Sequence, residues 1–306
     1  MKIGDIRLGF EYELEGITDD VDELDDTPAR WRATLDHTLR NAGVEFISDP
    51  IPLDHCQSVV DDLLTHIINE YDYEISHRCS QHIHISLDGL KAQQRLALYM
   101  LLVSQEEFFF SFSPERKRNH YCTPLLYTPA FFDGLARVSC SPDWYEGTHH
   151  HCEPLLDLYL AETNCKYVSV NVNPGLHHSF GTFELRHFSP LMKIKDVEAV
   201  VDGIRTLLDI AHNAPSDDVQ SMCDYLLNEY DCEELQWCVN AVRAASGNGW
   251  PDRGKKKKKR TKLFTDVELT SRPEMEVRSI ESPFISSSEW ATINSSLNSL
   301  PTISGE

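Results

Sequence analysis

The stretch RLGFEYELEG, Arg7 to Gly16, constrains this chain more than any other segment. Leu8, Phe10, Tyr12 and Leu14 alternate with Glu11, Glu13 and Glu15. A period of two belongs to a β-strand with one buried face and one polar face, so the three glutamates are predicted to share a face. Carboxylates two residues apart on a strand stand about 7 Å from one another and repel. The pattern therefore asks for something cationic above the strand.

The next segments supply neighbours for it. RWRATLDHTLRNAGVEFISDPIPL reads as strand, turn, strand, broken at NAG and DP. In DHCQSVVDDLLTHIINEYD the spacing of Val59, Val60, Leu63, Leu64, Ile67 and Ile68 predicts a helix. QHIHISLD alternates and predicts a strand, and KAQQRLALYMLLVSQEEFFFSF predicts one long, largely buried helix. KYVSVNVNPG and GTFELRHFSP predict two strands joined by a glycine-containing loop, followed by helices over about 195–213 and 217–245. Strands precede and separate helices with no regular βαβ rhythm, which predicts an α+β fold built on a mainly antiparallel sheet with helices on its outer face.

At 306 residues the chain is long enough to bury a substantial core. From about Ser246 the character changes. SGNGWPDRGKKKKKRTK is rich in breakers and basic residues, and the remainder of the chain is Ser-rich with few periodic apolar positions. The predicted organisation is a domain over 1–246 and a basic linker with a disordered tail over 247–306.

A net charge of −21 argues against the body being a general nucleic-acid binder. Nineteen acidic against five basic residues fall in positions 1–75, and the run DDVDELDD within them reads as a solvated loop. Nucleic acid remains open as a partner only through the basic run Lys255 to Arg260, which reads equally well as a solvated linker folding back on the acidic body. The polar, acidic N-terminus shows no export signal and no apolar run is long enough to span a bilayer, so a cytoplasmic protein without a membrane partner is expected. Nine cysteines at irregular spacing, with no CxxC pair, read as reduced thiols.

Three short strands share one design. FEYELE places Glu11 and Glu13 on one face, HIHIS places His82 and His84 on one face, and FELRH places Glu184 and Arg186 on one face. Each alone describes the solvent side of an ordinary strand. Together, carboxylate, imidazole and guanidinium make a basin for hard cations and phosphate. Mg²⁺ and Mn²⁺ prefer carboxylate oxygen and accept imidazole, and an arginine beside them suits a transferring phosphoryl group. The chain has neither an HExxH helix nor a GxxxxGK[ST] loop, which disfavours a zinc hydrolase of that type and a P-loop enzyme. The histidine run His149 to His151 with Cys152 reads as a loop cluster, EEFFFSF as helix core, and Cys79 as a small buried residue.

Taken in order, GFEYE, DHTLRNAGVEFISDPI, CSQHIHISL, KYVSVNV and TFELRHF resemble the phage and bacterial amidoligases of the carboxylate-amine ligase superfamily, which includes glutamine synthetase and glutamate-cysteine ligase. The resemblance covers about residues 7 to 205 and is most specific in QHIHISL and FELR. It implies a glutamine synthetase-like catalytic domain with a curved sheet, in the cytoplasm of a host if phage-encoded. It also implies ATP with Mg²⁺ or Mn²⁺, and an amide bond made through an acyl phosphate from small-molecule or peptide carboxylate and amine substrates. Residue by residue, the resemblance implies metal ligation by Glu11, Glu13, His82 and Glu184, and phosphate contact by His84 and Arg186. It implies metal or substrate roles for Asp36 and Glu45, one of which could collect the amine proton, and a phosphate or carboxylate contact for Lys166. Gln81 and His37 stand where the family usually has glycine, a departure that bears on loop geometry and the substrate pocket. Two alternatives use the same residues: a metal-dependent hydrolase or phosphotransferase, and a non-catalytic interaction protein that keeps the fold.

Overall fold

The computed structural model describes residues 6–17, 24, 27–119, 121–126, 131–132, 134–135, 167–172, 181–230 and 232–245. Leu8, Phe10, Tyr12 and Leu14 are all at 0% exposure, while Gly9, Glu11 and Glu13 between them are half-buried. The alternation at the start of the chain is thus a strand, β1 (Arg7–Leu14), with one face sealed. Burying each of those large apolar side chains contributes about 1.5–3 kcal/mol, which fixes the register because a one-residue slip would exchange the faces.

The sheet around β1 comprises β2 (Trp31–Leu35), β3 (Val44–Ser48), β4 (Ile51–Pro52), β5 (Gln81–Ser86), β6 (Val170–Asn171) and β7 (Thr182–Phe188). Its order is β2-β3-β1-β5-β7-β6, with every named pair antiparallel. Asp49 and Pro50 interrupt the ladder beside β1, and β4 resumes it along the same edge. At the break the Ser48 hydroxyl accepts the Phe10 N–H at 2.8 Å, so no donor of β1 is stranded there.

Helices cover the apolar face. They are α1 (Cys56–Glu70), α2 (Ala92–Ser104), α3 (Glu106–Phe110), α4 (Ile194–Asn213), α5 (Val219–Glu229) and α6 (Glu233–Ala245). Val60, Leu63, Leu64 and Ile67 of α1, the buried side of α2, and Val197, Val200, Ile204 and Leu207 of α4 join Phe10, Phe46, Ile83, Ile85, Phe183 and Leu185 in one core. Tyr99 of α2 lies 5.7 Å from Phe183 of β7, and the Trp31 indole donates to the Val59 carbonyl at 3.0 Å, so the helix layer is pinned across the sheet. The α+β class and the antiparallel sheet are as the sequence predicts. No helix among the described residues is long and apolar enough to cross a membrane, and the six described cysteines are free thiols.

Three expectations on elements need correction. The first strand ends at Leu14, not Gly16: Glu15 makes an isolated bridge to Glu74, and Gly16 turns the chain at φ 80°. Glu15 is 2% exposed and accepts the Arg40 N–H at 2.9 Å, so it holds the neighbouring turn instead of facing the other two glutamates. The predicted helix over 91–112 is two, α2 and α3, broken at Gln105 (φ −106°, ψ 15°). The break carries Glu106 inward, where its carboxylate accepts the N–H groups of Leu125 (2.7 Å) and Leu126 (2.9 Å) and the Ser169 hydroxyl. That anchor outweighs the helical periodicity. The predicted helix over 217–245 is likewise divided, into α5 and α6, where buried Tyr230 adopts extended backbone. The expected tail over 247–306 and the histidine run 149–151 lie outside the described residues.

Burial pushes the Glu106 carboxyl up to about 7 despite its three donors. The folded chain then holds this proton up to a higher pH than the unfolded chain, whose carboxyl titrates near 4.5. Its contribution is complete below about pH 4.5 and is lost as the pH rises through about 7, by up to roughly 3 kcal/mol. Glu106→Gln removes this titration. Urea midpoints across about pH 5 to 7.5 are expected to show wild type ahead at the acid end and the gap narrowing as pH rises. Parallel curves would rule out Glu106 as the source.

Candidate functional site

Strand pairing brings the polar residues level. Glu11 of β1 stands opposite His82 of β5, Gly9 opposite His84, His84 opposite Glu184 of β7, and Glu184 opposite Asn171 of β6. On the other side of β1, Glu13 stands opposite Glu45 of β3. A register shift between Gln81 and Ile83 marks an irregularity where β5 meets β7 beside Arg186. The polar face thereby collects residues from five strands, each placed by an apolar neighbour pinned in the core.

Glu11, His84 and Glu184 each offer a ligand atom, and these atoms lie within 4.8 Å of one another. His84 Nε2 is 3.2 Å from Glu11 Oε1, while its Nδ1 lies 3.0 Å from the Thr182 hydroxyl, which fixes the ring. His82 sits beneath the same carboxylates: its Nδ1 is 2.9 Å from Glu11 Oε2 and 3.4 Å from Glu184 Oε1. Its Nε2 lies 2.8 Å from the Ser80 hydroxyl. The resemblance implies His82 as the metal ligand and His84 at the phosphate, whereas it is His84 that enters the converging set of donors, and His82 pairs with the two carboxylates through Nδ1. Glu13 turns to Ser80, accepting its N–H at 2.9 Å and its hydroxyl, and so joins the group through Ser80 and His82.

Glu184 is 5% exposed and held on two sides: Asn171 Nδ2 donates to Oε2 at 2.5 Å, and Arg186 Nη1 donates to Oε1. Burial works to raise the Glu184 carboxyl, but the neighbouring His82 and Arg186 charges bring it below the usual range. For Glu11 burial also acts upward and is outweighed by hydrogen bonds from His82 and His84, leaving it well below the usual range. Both carboxylates are thus kept ionised. His84 moves the other way: burial disfavours its charged form, and Glu11 more than restores it. His84 here does part of the neutralising that the alternating glutamates demand.

Glu45 shows the opposite response. Burial and the charges of Glu11, Glu13 and Asp36 push its carboxyl up to about 7. Asp36, just past the end of β2, accepts the Thr38 N–H at 2.8 Å and lies close enough to add to that crowding. Lys166 lies outside the described residues.

Sequence reading passed over Ser80, Asn171 and Thr182, which hold Glu13, Glu184 and His84. Parity offered the signal: Ser80 shares the alternation of His82 and His84, and Asn171 sits in VSVNVN at the phase that faces Glu184. Comparison of the sequence with protein-family models and with curated proteins gives no match.

Proposed function

We propose that the chain is an ATP-dependent carboxylate-amine ligase of a glutamine synthetase-like kind, forming an amide through an acyl phosphate. The reading rests on one observation: two carboxylates held ionised and an imidazole converge on a sheet face, with the Arg186 guanidinium against one of them. That donor chemistry fits Mg²⁺ or Mn²⁺, with Glu11, His84 and Glu184 as the residues that would hold the ion and Glu13 and His82 supporting them. When bound, the cation supplies neutralising charge for phosphate oxygens.

The chain's own groups divide the remaining work. Arg186 offers paired N–H donors to the phosphoryl group as it moves from ADP oxygen to an oxygen of the substrate carboxylate. An amine then attacks the acyl carbon, and phosphate leaves with the electrons of the C–O bond. Glu45, on the same face and crowded by acids, takes the proton the nitrogen sheds, with Asp36 as its neighbour. The substrates are a small-molecule or peptide acid and an amine.

The test is ADP release from ATP and Mg²⁺ with paired libraries of acids and amines, read together with the mass of the product. Catalytic ADP release that requires both partners, with a product lighter than their sum by one water, is expected. Zinc held tightly with no nucleotide affinity would replace this reading with a metal-dependent hydrolase on the same residues.

A further inference from the structure

Two of the five exposed large apolar side chains among the described residues, Tyr121 at 39% and Tyr167 at 38%, touch each other. Their rings pack edge to face, with centroids 5.6 Å apart and planes at 73°. They come from segments far apart in sequence, joined through a parallel bridge between Thr123 and Val168. Thr123 N–H donates to the Tyr167 carbonyl at 2.7 Å and Ser169 N–H to the Thr123 carbonyl at 2.9 Å. Ser169 in turn accepts the Arg186 N–H at 2.9 Å, so the tyrosine segments are tied directly to the strand that carries Glu184 and Arg186.

Arg186 links the two places through its side chain as well. Its Nη1 donates to Glu184, and its Nε donates to the Tyr121 carbonyl at 3.4 Å. One guanidinium therefore touches both a metal-facing carboxylate and the backbone of the aromatic pair. Tyr121 is further held by Asn119, whose side-chain oxygen accepts the Tyr121 N–H at 2.9 Å and whose amide donates to the His77 carbonyl at 2.8 Å. An aromatic surface that is solvent-facing yet anchored at this many backbone points is pre-organised for a planar partner.

We infer that Tyr121 and Tyr167 form an edge-to-face platform in which one ring takes the base of a nucleotide by stacking and the other braces it, while the phosphates face Arg186 and the Glu11, His84 and Glu184 donors. The inference rests on the nucleotide reading above and adds where the base lies. Stacking on an aromatic face is tolerant of base identity, so the platform by itself selects a planar ring and not one particular base.

Calorimetry with Mn²⁺ and two probes, ADP and inorganic pyrophosphate, separates the parts. On the wild type, Tyr121→Leu, Tyr167→Leu and the double variant, Mn²⁺ affinity is expected to hold, and pyrophosphate affinity to change by less than about twofold. ADP affinity is expected to fall by about tenfold or more in the double variant, the size of one base stack, while Tyr121→Phe keeps it. ADP affinity unmoved by the substitutions, or a parallel loss of ADP, pyrophosphate and Mn²⁺, overturns the platform. A wild type that binds pyrophosphate as tightly as ADP also removes the platform but leaves the phosphate and metal reading standing. A wild type that binds Mn²⁺ and neither probe removes the nucleotide reading, and the platform with it.

Discussion

Glu184→Gln is expected to abolish Mg²⁺-dependent ATP binding and to weaken Mn²⁺ affinity by about 100-fold or more, since loss of a mere supporting partner of a metal ligand costs about 10 to 100-fold. The substitution is nearly isosteric, so its effect is one of charge. Glu184 is 5% exposed, and its carboxylate faces Arg186, Asn171 and His82 at once. An amide in its place leaves the Arg186 charge without its nearest anionic partner and replaces the anionic oxygen that converges with the Glu11 and His84 atoms by one weak neutral donor. Calorimetric titration of both proteins with Mn²⁺, and with ATP in the presence and absence of Mg²⁺, reads the change. Urea midpoints of both proteins distinguish loss of the site from loss of the fold. A Glu184→Gln protein that is folded and binds Mn²⁺ as the wild type does would remove Glu184 from the metal centre.

The part of this site legible in the sequence is the part written in a period of two. FEYEL, HIHIS and FELRH each carry apolar residues that must be buried, so the phase of the polar residues follows from the core, and Glu11, Glu13, His82, His84, Glu184 and Arg186 do fall on one face. Which strands become neighbours is not written there. It depends on antiparallel pairing between segments about 70 to 100 residues apart in sequence, and so does the choice of His84 over His82 as the converging donor. Local patterns failed where a tertiary anchor overrode them. A hydrophobic run from Leu96 to Phe110 is sound helical sequence, yet the chain turns at Gln105 because Glu106 reaches the N–H groups of Leu125 and Leu126. Glu15 keeps the alternation of Glu11 and Glu13 but leaves the strand, since Gly16 takes a positive φ and the Glu15 carboxylate finds the Arg40 N–H.

On the proposed ligase reading, Arg186→Lys is expected to separate holding the substrates from transferring the phosphoryl group. Lysine keeps the positive charge beside Glu184, so the carboxylate stays paired and Mn²⁺ affinity is expected to hold to within about threefold. What is lost is the planar fork. Arg186 reaches Glu184 with Nη1 and the Tyr121 carbonyl with Nε, an arrangement that fixes the plane of the guanidinium and therefore the direction of its remaining N–H groups. A lysine ammonium has no such plane and cannot serve Glu184, the Tyr121 carbonyl and an incoming oxygen together. If those remaining donors face the phosphoryl group as it transfers, kcat should fall by about 10² to 10³, the cost of removing one well-placed donor from a developing oxyanion, with a much smaller change in KM for ATP. Equal losses in KM and kcat would instead make Arg186 a ground-state binding residue. An unchanged kcat would mean that its donors serve only Glu184 and Tyr121, and the transferring group would have to be met by another cation.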